Sequence, residues 1–142
     1  MTDSQKSPST PPPSVNLPKV TDNVGAPTIT RPSGPPPTQL EIQDIIVGTG
    51  AQVKAESTLT VHYILMTWSD GALIESSWQG SAPATFPLAT VIVGWQQGLQ
   101  GAKVGGRRLL VIPADLGYGA RGSGPIGPNE TLIFAVDIIG VL

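Results

Sequence analysis

Few side chains in this sequence have the reactivity that chemistry usually needs. His62 is the only histidine, and cysteine is absent. That excludes disulfides, thiolate nucleophiles, cysteine-ligated metals and the HExxH helix of zinc hydrolases together. Asp70, Glu75, Asp115 and Asp137 are spread along the chain, and no pattern pairs them as an acid and a base. There is no GxSxG elbow. The glycines form neither a phosphate-binding loop nor a strand-GxGxxG-helix unit, and Gly119, Gly122, Gly124 and Gly127 read as the tip of a long loop. His62 falls on the polar side of an alternating stretch, where a hydrogen-bonded structural histidine is the simplest reading. Arg107-Arg108 lacks the basic neighbours that a nucleic-acid surface requires. What remains is the placement of seven aromatic residues, Tyr63, Trp68, Trp78, Phe86, Trp95, Tyr118 and Phe134. Five of them fall on faces expected to point inward or lie beside the glycine loop. An ordinary core accounts for most of them. Buried Tyr and Trp need partners for their polar atoms, however, and Tyr118 sits in the turn Leu116-Gly117-Tyr118-Gly119, where a pure core role is less natural.

These residues are carried by elements that read mainly as strands. Leu40 to Val47 is apolar with partial alternation and ends at Gly48-Thr49-Gly50. Thr58 to Trp68 alternates more cleanly, with Leu59, Val61, Tyr63 and Leu65 on one face and Thr58, Thr60 and His62 on the other. Ser69-Asp70-Gly71 is a hairpin-turn signal, and a strand through Ala72-Leu73-Ile74 should return from it. Arg107 to Ile112 stops at Pro113, and Thr131 to Ile139 puts Leu132, Phe134, Val136 and Ile138 on one face. The best helix runs from Val91 to Leu99, with Val91, Ile92, Trp95 and Leu99 on one side, Thr90 as its cap, and Gly98 and Gly101 at its end. The expected fold is α+β, a curved antiparallel sheet wrapped around one short helix.

The composition shifts near Thr38. Ten of the 15 prolines precede it, including Pro11-Pro12-Pro13 and Pro35-Pro36-Pro37. Residues 1–38 therefore read as a disordered Pro/Ser/Thr-rich arm, dispensable for folding, and residues 39–142 as the domain. Val24 to Thr30 is the least polar part of the arm and the part most suited to docking. The whole chain has 142 residues, a formal charge of −2 and 13% charged residues, so neither nucleic acid nor an anionic membrane is expected as the main partner. No run approaches the roughly 20 apolar residues of a transmembrane segment. No leader is visible at Met1, which favours a cytoplasmic chain, although such an arm also suits an exported, tethered one.

The string Val61-His62-Tyr63, Asp70-Gly71, Ile74-Glu75-Ser76-Ser77, Val91-Ile92-Val93-Gly94-Trp95-Gln96-Gln97-Gly98-Leu99, Val104-Gly105-Gly106-Arg107-Arg108, Ile112-Pro113, Leu116-Gly117-Tyr118-Gly119 and Thr131-Leu132-Ile133-Phe134 resembles the FKBP-type peptidyl-prolyl isomerases, the macrolide-binding immunophilins. The resemblance covers nearly all of residues 39–142. It implies rotation of X–Pro bonds in folding chains by non-covalent desolvation and twist, without a cofactor, in a monomer that binds proline-containing polypeptides and macrolides of the tacrolimus and rapamycin class. It implies a catalytic set of Tyr63, Glu75, Phe86, Ile92, Trp95, Tyr118 and Phe134, with Trp95 as the floor and the Ile92 N–H and Tyr118 hydroxyl as donors. Ile74, Val91 and Ile126 would contact substrate. Ile74, Glu75 and Ala84 stand where the family more often has Phe, Asp and an aromatic, which removes aromatic wall. A module that holds proline segments with little catalysis is the alternative.

Overall fold

The computed structural model describes residues 17–80 and 82–142. Six strands are formed among them: β1 (Glu41–Ile46), β2 (Thr58–Thr67), β3 (Leu73–Ser76), β4 (Ala84–Pro87), β5 (Arg107–Ile112) and β6 (Leu132–Val141). All pair antiparallel in the order β1-β5-β6-β2-β3. β4 shares an edge of β2 with β3, pairing Thr58–Val61 while β3 pairs Ile64–Met66. Register irregularities at Asp44/Ile46, Thr60/Val61 and Leu65/Met66 add local twist and bend the sheet around its contents.

Those contents are the inner face foreseen from the alternation. Val61 lies opposite Ile138, Tyr63 opposite Val136 and Leu65 opposite Phe134. They join Leu110, Ile112 and the helix residues Trp95 and Leu99 in one core. The helix α1 (Val93–Gly98) sits directly on β5. A Cβ on Gly94 would come within 2.5 Å of Ile112 Cγ2, and one on Gly98 within 2.8 Å of Leu110 Cδ2. These two glycines, four apart and so on one helix face, set how closely the helix approaches the sheet.

The helix is shorter than expected. Leu88–Thr90 forms a separate 3-10 turn, and the Thr90 hydroxyl donates back to the Pro87 carbonyl at 2.8 Å instead of capping α1. Val91 and Ile92 are extended, with ψ of 176° and 151°. Two β-branched residues favour that conformation, and Ile92 becomes the uncapped N-cap of α1.

The arm also departs from expectation. Residues 1–16, with Pro11-Pro12-Pro13, lie outside the described residues, but residues 17–38 are laid against the outer face of the sheet. Leu17, Val20 and Ile29 pack on a second cluster of Met66, Trp68, Leu109, Val111 and Ile133. Val20 bridges Ile29, and the Thr21 N–H donates to the Thr28 carbonyl at 3.1 Å. Arg107, only 1% exposed, reaches from β5 to the Thr21 and Gly25 carbonyls, each at 2.7 Å. The same guanidinium holds Asp137 of β6 at 2.7 and 3.0 Å. The reason is that β5 and β6 are apolar on both faces, and a sheet of that kind needs cover on both. Arg108, by contrast, faces the helix side, pairs with Asp44 at 2.7 Å and donates to the Gly98 and Gln100 carbonyls beyond the helix end.

Candidate functional site

Between α1 and the concave sheet lies a cavity of about 480 Å³, a size that suits a small organic ligand or a dipeptide unit. Trp95 is its base, 4% exposed. Three rings meet the indole edge-on: Tyr63 at 5.6 Å, Phe86 at 5.7 Å and Phe134 at 5.2 Å between centroids. Each comes from a different strand, β2, β4 and β6, so the sheet's curvature is what gathers them. Edge-to-face contacts of this kind hold rings in fixed orientations. The helix entry supplies Val91 and Ile92. Because Ile92 is extended and outside the helix ladder, its N–H donates to no backbone acceptor among the described residues.

The cavity's polar groups are few. Glu75 is exposed at the end of β3 and accepts the Tyr63 hydroxyl at 2.8 Å. Burial pushes the Tyr63 phenol well above its usual range, and the bond to Glu75 and its negative charge push it further. Tyr118, 37% exposed on the loop after β5, is raised as well, first by burial and then by the Glu75 charge. Both phenols therefore keep their protons through the neutral range.

All seven residues expected to be catalytic, Tyr63, Glu75, Phe86, Ile92, Trp95, Tyr118 and Phe134, line this one cavity, together with Val91. Ile74 and Ile126 do not line it. Ile126 is tucked into the core, 5% exposed, by paired backbone bonds with Ser123 at 2.8 and 2.9 Å. Ile74 is half-buried against the same core, one residue before Glu75. The lining also includes Leu65 and Thr90. Leu65 was visible as an inward residue in the alternation, and it sits opposite both Glu75 and Phe134. Thr90 had looked like a helix cap and carried no other signal. His62 is on the outer face, stacked on Trp78 at 4.0 Å with Nδ1 2.9 Å from the Ser77 hydroxyl.

Comparison with known proteins agrees with this geometry. The family model for the FKBP-type peptidyl-prolyl cis-trans isomerase matches residues 50–139. An FK506-binding protein of Streptomyces anulatus is 46% identical over 123 residues, covering 84% of this chain and 99% of that protein. A probable FK506-binding protein of Corynebacterium glutamicum is 44% identical over 113 residues, 80% of this chain and 96% of that one. The crystal structure of FkpA from Escherichia coli superposes with a TM-score of 0.68 at 37% identity, over 72% of this chain and 47% of that chain. The match runs through most of the sheet, the helix and every wall of the aromatic cavity: the chain belongs to the FKBP-type peptidyl-prolyl cis-trans isomerases.

Proposed function

We propose that the cavity over Trp95 is where the isomerase reaction takes place, and that it works by desolvating and twisting the X–Pro amide. The observation that carries this is the composition of the walls. Five aromatic rings and three aliphatic side chains enclose the space, and its one carboxylate, Glu75, is already bonded to Tyr63. Nothing in that set is placed to attack or deprotonate an amide.

An X–Pro bond resists rotation through C–N resonance, with a barrier of about 18–20 kcal/mol. Both isomers are populated, but they exchange over roughly tens to hundreds of seconds. In the twisted state the resonance is lost, the carbonyl is less dipolar and the prolyl nitrogen is pyramidal. A dry apolar wall disfavours the polar planar amide more than the twisted one, and that difference lowers the barrier. A reduction of about 4 kcal/mol gives roughly a thousandfold acceleration. The proline ring packs on the Trp95 indole. The Ile92 N–H and the protonated Tyr118 hydroxyl hold carbonyls on either side of the rotating bond, while Tyr63, pinned by Glu75, keeps its ring edge in place. Macrolides of the tacrolimus and rapamycin class fit the same site, an apolar ring on the indole and carbonyls on the same two donors.

The test is Tyr118→Phe. Loss of one donor should weaken macrolide binding by about 1 kcal/mol, roughly fivefold, with the unfolding midpoint unchanged. Equal affinity in titration calorimetry would remove Tyr118 from the donor set.

A further inference from the structure

β3 is one of the two short edge strands of the cavity's frame. It has four residues and pairs with β2 alone, yet it carries Glu75, which fixes the Tyr63 ring. Its far end is pinned where the Ser77 hydroxyl accepts the Tyr63 N–H at 2.7 Å. Its near end hangs on the turn from Trp68 to Ala72. One side of that turn is tied to the loop before β6, where Glu130 accepts the Ser69 N–H at 3.0 Å and its hydroxyl at 2.6 Å. The other side is held by the arm. The Trp68 indole N–H donates to the Gly34 carbonyl at 3.0 Å. The stem of Arg31 lies across Gly71, so closely that a Cβ there would stand 2.7 Å from Arg31 Cγ, while Gly71 itself has a left-handed φ of 63°. Within the turn, Asp70 accepts from the Thr67 hydroxyl and from the N–H of Ala72, the residue before β3.

We infer that Arg31 is a positioning residue for the isomerase reaction: by clasping the Asp70-Gly71 turn it holds β3 in register and so keeps Glu75 on the Tyr63 hydroxyl. The arm is then part of the catalytic frame, acting on the cavity from the opposite face of the sheet. Arg31 touches no cavity residue itself, and its effect runs only through the turn and β3. The aliphatic stem supplies the packing on Gly71, and the positive charge is near enough to favour the Asp70 carboxylate weakly, so lysine retains much of the function and alanine does not. This inference rests on the cavity being the reaction site.

The experiment is a double-mutant cycle in the full chain, with Arg31→Ala and Glu75→Gln measured singly and together. kcat/KM is read on a Leu-Pro peptide and hydrogen exchange on the Leu73–Ser76 amides. Arg31→Ala should lower kcat/KM about threefold in the parent and by less than about 1.5-fold in the Glu75→Gln background, as coupled neighbours do. It should speed exchange in β3 and leave β5 and β6 unchanged, and Arg31→Lys should recover most of the rate. An unchanged rate in Arg31→Ala, or the same loss with and without Glu75, overturns the positioning role. Failure of the underlying reading shows up separately, as a Trp95→Leu chain that keeps full activity.

Discussion

Replacing Trp95 with alanine is expected to cost about 3–5 kcal/mol of stability, because it empties the base of the cavity and leaves three ring edges without a surface. Against a total stability of roughly 5–15 kcal/mol for a domain, that is a large fraction. Activity lost through unfolding would say nothing about the mechanism, so Trp95→Leu is the companion variant. It keeps apolar volume and should cost less stability, yet it removes the flat surface on which the proline ring lies. kcat/KM should then fall at least about tenfold, the loss of about 1.4 kcal/mol of transition-state stabilisation. Denaturant midpoints together with a protease-coupled assay separate the two effects. A folded Trp95→Leu chain with parental kcat/KM would show that the indole is core and nothing more.

The second large effect lies on the opposite face. Asp137→Ala should destabilise the chain by about 3–5 kcal/mol, since it leaves the Arg107 guanidinium buried without its carboxylate. Arg107 would keep only the Thr21 and Gly25 carbonyls, which are neutral acceptors. Arg107→Met paired with Asp137→Leu should cost less than Asp137→Ala alone, because no unpaired charge stays behind. The order of the three chains in urea unfolding is the check. If Asp137→Ala unfolds at the parental midpoint, Arg107 has found solvent, and the arm does not seal this face.

How much of this was legible in the sequence depended on periodicity. The period-2 pattern of Leu59, Val61, Tyr63 and Leu65, matched by Leu132, Phe134, Val136 and Ile138, identified the inner face that the sheet buries. With that face assigned, Tyr63, Phe134 and Trp95 had to converge. The docked arm was hidden because a composition reading averages over the few residues that matter. Leu17, Val20 and Ile29 are sparse among prolines, and their partners Leu109, Val111 and Ile133 lie more than 70 positions away. The usable signal was on the partner side, in Leu109-Leu110-Val111-Ile112, a run with no polar face. The resemblance implies substrate contact for Ile126, but the Ser123–Ile126 backbone pairing that draws it into the core is set by loop geometry that no periodic pattern encodes.

The central claim is that rotation is accelerated by an apolar wall and not by proton transfer, and the pH dependence of kcat/KM for a Leu-Pro peptide tests it most directly. Tyr63 and Tyr118, both pushed above their usual range by burial and the Glu75 charge, keep their protons through the neutral range. Histidine is the side-chain type that titrates near neutrality, and His62 lies on the outer face against Trp78 and Ser77. The profile should therefore be flat to within about twofold from about pH 5.5 to 8.5. His62→Ala should follow the parent curve, and Glu75→Gln should lower it only modestly and evenly, by loosening Tyr63. A bell-shaped profile with a limb near pH 6.5 that disappears in His62→Ala would contradict the mechanism.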